Sequence, residues 1–292
     1  MNLPEEDVHL FYTLYHSLLF YTNEKYHILT VKNQDHFFRI PFEDKWELKE
    51  ELYQHPELID KFVAENPFNF SDDELKIITA WKDFKKGTFV LFKSLKKYTI
   101  FLDMEEPPRA YGVLALLSDF EDMVDPLPAM AEAVLLPFKE KIIYDGLLYW
   151  YSLTFGSEYC KSFNDTYQKA KFECGIITSL PFSKKRMPTK EEKLKFYMKN
   201  ERNRDQYWEE IQELIEEDDN LLIIYHQEMG RACSRKTRKL LYHVGIEKGW
   251  FATIEGIPIA SGVTREDAEK AAEQIVPEEK REFVYYFQLK KK

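Results

Sequence analysis

Between Gly87 and Phe155 the chain carries its densest run of strand-forming residues, and that run constrains the fold more than any other stretch. Short apolar segments bounded by turn residues are the signature of buried strands. Thr88–Lys93 and Tyr98–Asp103 flank Ser94-Leu95-Lys96-Lys97, which reads as a hairpin with a charged tip. Pro107-Pro108 forces an extended loop, and Tyr111–Leu117 is apolar on both faces, as a central strand would be. Ala131–Pro137 and Lys141–Asp145 form a second hairpin over Phe138-Lys139-Glu140; Gly146 then breaks the run before Leu147–Phe155, implying a bulge or bend. Five or six such strands predict a bent antiparallel sheet or small barrel.

Helical patterns surround this region. Val8, Phe11, Tyr12, Tyr15, Leu18 and Leu19 share one face of a helix over Glu5–Tyr21, and Tyr26–Val31 with His36–Ile40 read as a strand pair stopped by Pro41. Trp46 to Glu65 has helical composition, with Pro56 in a first turn. Ser71-Asp72-Asp73-Glu74 and Thr189-Lys190-Glu191-Glu192 are capping boxes. A helix after Gly156 would bury Cys160, Phe163, Tyr167, Ala170 and Cys174. Glu216 to Asn220 reads as the frayed, acidic end of a helical connector. Beyond it, strand Leu221–His226, helix Ser234–His243, hairpin Trp250–Ile254/Ile257–Ala260, helix Arg265–Ile275 and strand Phe283–Leu289 spell βαββαβ, the ferredoxin-like order. The expectation is an α+β protein: helical 1–86, antiparallel β 87–182, a helical connector 183–219 and a ferredoxin-like unit 220–292.

The segments NPFNFSDDELKIITAWKDFKKGTF (66–89), YGVLAL (111–116), AVLLPFKEKIIYDGLL (133–148) and GIITSLP (175–181) resemble a group of uncharacterised prokaryotic proteins. The resemblance covers less than half of the chain. It implies a shared middle domain and brings no activity or site residue with it.

Composition narrows the function classes. A chain of 292 residues with 44% hydrophobic content can bury a sizeable core, and a net charge of −10 argues against a surface that grips nucleic acid throughout. The acidic opening MNLPEEDVHLF lacks the basic start of a secretory segment, and no 20-residue apolar span follows it. Three cysteines without CxxC spacing fit a reducing compartment, so the expectation is a cytoplasmic protein without a membrane partner and with no cofactor motif.

Five cations, Arg231, Arg235, Lys236, Arg238 and Lys239, cluster without an acid among them, and Arg235, Arg238 and Lys239 fall on one helical face. Lys184, Lys185 and Arg186 would extend the cluster, and Tyr225, Trp250 and Phe251 would stack bases if the sheet face were open. These residues point to a binding or adaptor protein for nucleic acid or an acidic protein. The alternative is a metal-dependent hydrolase or nuclease using Asp103, Glu121, Asp122 and Asp145; carboxylates gathered in a cleft would hold a hard cation. Glu105, Glu106, Asp119 and Asp125 lie in the same acidic loops. Other metal patterns fail on spacing. His9 and His16 lie two turns apart, and His226-Gln227-Glu228 lacks the Pro-Cys-x-x-Cys of a zinc deaminase.

Overall fold

The computed structural model describes residues 2–183 and 187–290. It divides into two compact units, Met1–Met187 and Pro188–Lys292. The basic residues Lys184, Lys185 and Arg186 lie outside the described residues. No helix among the described residues is long and apolar enough to cross a membrane.

The first unit opens with helices α1 (Glu5–Tyr26), α2 (Gln34–Arg39), α3 (Trp46–Gln54), α4 (Glu57–Glu65) and α5 (Asp72–Ala80). Helix α1 buries Val8, Phe11, Leu14, Tyr15, Leu18 and Leu19 along the face its spacing predicts. The Ser71–Glu74 capping box starts α5, whose inner side places Ile78 and Trp81 in the core. The expected strand pair at 26–40 does not form. Asn33, between the two expected strands, accepts a hydrogen bond from the His36 N–H and caps α2, while the Asn23 side chain holds the Leu29 backbone.

Seven strands follow: β1 (Lys85–Ser94), β2 (Thr99–Asp103), β3 (Arg109–Leu114), β4 (Ala129–Phe138), β5 (Lys141–Tyr144), β6 (Tyr149–Trp150) and β7 (Ile176–Ile177). Their hydrogen-bonded order runs β1-β2-β3-β5-β4, and β4 pairs back onto β1, closing a five-stranded barrel. The pairings are antiparallel except β3–β5 and β3–β7. Alternation along the strands decides what fills it. Leu91, Phe101 and Tyr111 share a rung across β1, β2 and β3, Phe89 stacks on Phe101, and all four are buried. Phe120, on the short helix α6 (Phe120–Met123) between β3 and β4, packs on Phe101 at a ring separation of 5.0 Å. The opposite faces of β1, β2 and β3 turn Val90, Ile100, Leu102 and Ala110 toward helix α7 (Ser157–Cys174), which buries Phe163, Tyr167 and Ala170 against them. Cys160 and Cys174 are free and half-buried. Of the predicted strand 147–155 only Tyr149–Trp150 forms a strand, pairing with Ala131 and Glu132 of β4 beyond the stretch that β5 takes.

The second unit contains α8 (Lys190–Tyr197), α9 (Glu201–Gln206), α10 (Trp208–Glu217), α11 (Asp219–His243), β8 (Gly249–Ile254), β9 (Ile257–Gly262), α12 (Arg265–Glu273) and β10 (Tyr285–Leu289). Capping boxes at Thr189 and Thr264 start α8 and α12. The predicted strand Leu221–His226 is instead the beginning of the 25-residue α11. Leu221 and Tyr225 recur at helical spacing and bury against Leu194, Met198, Tyr207 and Ile211. The acidic run 216–219, read as a fraying end, supplies the Asp218 cap of α11, where carboxylates oppose the positive helix terminus. The sheet therefore has three strands, ordered β10-β8-β9, in place of the four of a ferredoxin-like unit. Ala252 and Val284 pack with Ala272 of α12 and with Val276 just beyond it, whereas Phe251, Phe287 and Leu289 pack with Leu241 of α11, so the two helices cover opposite faces.

Candidate functional site

The strongest concentration of ionisable groups lies beside the barrel, where α3 faces the outer side of β1 and β4. Outward positions on β1 carry Lys86 and Thr88, and Thr88 pairs across to Glu132 of β4. Trp46, Lys49 and Glu50 of α3 stand opposite, enclosing a cleft of about 260 Å³. Lys86 and Glu50 form an ion pair across it. Glu132 accepts a 2.5 Å hydrogen bond from the Tyr151 hydroxyl, and Tyr149 packs between Trp46 and Tyr151.

Behind the cleft, Asp145 is fully buried and Lys49 nearly so, with the Lys49 ammonium 3.0 Å from one Asp145 oxygen. The Leu147 N–H and the Tyr15 hydroxyl also donate to Asp145, at 3.2 and 3.4 Å, and the Tyr15 and Tyr53 hydroxyls are 2.8 Å apart. The ammonium also sits over the Trp46 ring, 4.2 Å from its centroid. Gly146 makes the geometry possible. Its φ of +94° turns the chain immediately after Asp145, and a Cβ there would lie 2.8 Å from the Phe42 ring. Desolvation raises Asp145 above the usual carboxylate range although Lys49 pulls it down, and burial drives Tyr15 and Tyr53 well above an ordinary phenol.

Nearby, Lys45 is completely buried, with its ammonium over the Phe37 ring and no hydrogen-bond partner. Desolvation lowers its pKa. His16, tilted against Phe42, is lowered to about 4 by desolvation and by the Lys45 charge.

The four carboxylates of the hydrolase reading do not assemble. Asp103 is buried at one mouth of the barrel, 3.2 Å from Lys85, and accepts from the Glu105 N–H. Glu121 and Asp122 are exposed on α6. Asp145 belongs to the Lys49 network. Among the described residues no three His, Cys, Asp or Glu side chains gather where one metal ion could be held. His226 stacks on Phe283 while Glu228 pairs with Arg231, so the H-x-E pair diverges.

The five cations all lie on α11. Arg231 pairs with Glu228 at 3.6 Å and Lys236 with Glu201 at 3.5 Å. Arg238 leaves the predicted shared face and lies over the Phe287 ring, 4.9 Å from its centroid, because that side of the helix packs on the sheet. Arg235 and Lys239, one turn apart, are exposed and form no ion pair among the described residues. Beside them Leu240 and Val244 are 67% and 68% exposed. The proposed stacking aromatics do not form an open platform. Tyr225 is buried among helices, and Phe251 is stacked on Phe287 beneath α11.

Sequence reasoning missed Trp46, Lys49, Glu132 and Tyr151. One signal was available: Lys45 and Lys49 recur at i,i+4 beside Leu48 and Leu52, placing lysines on the apolar face of α3. Helix α7 covers the outer face of β1, β2 and β3. No family profile, curated protein or solved structure matches the chain.

Proposed function

We propose that this chain is a non-catalytic binding protein that docks an acidic, partly apolar protein segment along the C-terminal half of α11. The observation that carries this reading is the exposed strip at the end of α11, where Arg235 and Lys239, without acid partners among the described residues, stand beside Leu240 and the capping Val244. Cations steer and orient an acidic partner, while desolvating leucine and valine supplies the apolar core of an interface. A phosphate backbone would use the charges and leave the apolar half wet, so a protein segment fits the strip better than nucleic acid.

The test is fluorescence anisotropy of the full chain with a labelled amphipathic helical peptide whose polar face is acidic, alongside a DNA duplex of equal charge. The peptide binds more tightly, and Arg235→Glu/Lys239→Glu abolishes binding at physiological salt. Tighter duplex binding, or peptide binding indifferent to the charge reversal, refutes the reading.

A further inference from the structure

We infer that the cleft between α3 and the β1–β4 face is a binding site for a small primary ammonium ligand, such as an alkylamine or the side-chain amine of a lysine-like molecule. Charge accounting within the cleft leads there. Lys49 is neutralised by Asp145 at 3.0 Å, and Lys86 by Glu50. Among the described residues no cation pairs with the Glu132 carboxylate, which accepts a hydrogen bond from the neutral Tyr151 hydroxyl. The lining itself holds two cations and two carboxylates, and with the buried Asp145 behind it taking up Lys49 the unbalanced negative charge falls on Glu132.

The surroundings of Glu132 match an organic cation better than a metal ion. One carboxylate with a phenol is too few oxygen ligands for calcium or magnesium. It is enough for an ammonium, which donates to the carboxylate while its stem lies on aromatic carbon. Trp46 lines the cleft and Tyr149 packs against it at a ring separation of 6.2 Å, giving that stem an apolar wall. The volume of about 260 Å³ is below the range of drug-sized sites, which sets the occupant at about the size of an amino acid. The Lys49–Asp145 pair at the back holds α3, and with it Trp46, in place. This site belongs to the first unit and is independent of the α11 strip.

The experiment titrates the full chain, with its tryptophan indoles labelled for NMR and the Trp46 signal assigned through Trp46→Phe, with n-butylammonium and separately with butyrate. Butylammonium shifts the Trp46 signal saturably and butyrate does not. Glu132→Gln, a neutral replacement of the same shape, weakens butylammonium binding at least tenfold. Should Glu132→Gln fail to fold, Thr88→Lys serves instead: its ammonium lies across the pair from Glu132 and blocks the titration. Equal binding to Glu132→Gln or Thr88→Lys, an equal response to butyrate, or no saturable shift overturns the inference.

Discussion

Replacing both members of the Lys49–Asp145 pair should cost well below the sum of the two single replacements. The side chains are 2% and 0% exposed and 3.0 Å apart, so neither can turn to water when its partner is lost. Stranding one buried charge costs about 3–5 kcal/mol. Lys49→Met leaves the Asp145 carboxylate with neutral donors such as Tyr15 and Leu147 in place of a cation, and Asp145→Asn leaves the Lys49 ammonium against the Trp46 ring. The double variant removes both charges and keeps an amide oxygen for Tyr15 and Leu147. Its cost should therefore fall below the sum of the singles, with a coupling near the top of the range of about 0.5–3 kcal/mol. A Trp208→Phe/Trp250→Phe background leaves Trp46, Trp81 and Trp150, all in the first unit, to report urea unfolding by fluorescence. With an m-value of roughly 2.5 kcal/mol per M, a loss of about 4 kcal/mol lowers the midpoint by about 1.6 M. Single variants that each move the midpoint by less than about 0.4 M, or costs that simply add, would refute the buried-pair reasoning.

His16 gives a pH prediction. Burial lowers it to about 4 in the folded chain, so between its ordinary value of 6.5 and 4 the unfolded chain binds the proton that the native state refuses. Stability falls as pH drops through that window, and His16→Gln should show a shallower fall in thermal midpoint there; identical pH slopes would contradict this. In the second unit, Gly230→Ala would place a Cβ 2.3 Å from the Tyr285 Cβ, forcing α11 off β10. It should cost about 1–3 kcal/mol in urea unfolding followed by Trp208 and Trp250, and an unchanged midpoint would show that α11 does not pack as described.

Local chemistry was legible in the sequence and long-range pairing was not. The capping boxes at Ser71 and Thr189 bind within three residues, so the sequence displays each one whole. The hairpins at 94–99 and 138–141 and the Glu255-Gly256 turn were likewise placed by their turn residues. Barrel closure depends on β1 meeting β4 more than thirty residues away, and no residue in either strand announces that register. Leu221–His226 is apolar enough for either a strand or a buried helix face; the burial of Leu221 and Tyr225 against α8 and α10 decides for helix. The basic cluster was visible as charge, but the loss of Arg238 to Phe287 required the sheet to be in place. Asp145 was visible as a candidate carboxylate, yet its partner Lys49 lies 96 residues earlier, on a face that reads as apolar.

The central claim concerns where a partner sits, and site-specific photo-crosslinking addresses it directly. A photoreactive residue placed at Leu240 or Val244 should capture the acidic amphipathic peptide, with a yield that falls as salt rises. The same residue at Val263, which is 85% exposed on the same unit but away from Arg235 and Lys239 in sequence, should not. Capture at Val263 equal to that at Leu240, or none at Leu240 and Val244, would contradict the account.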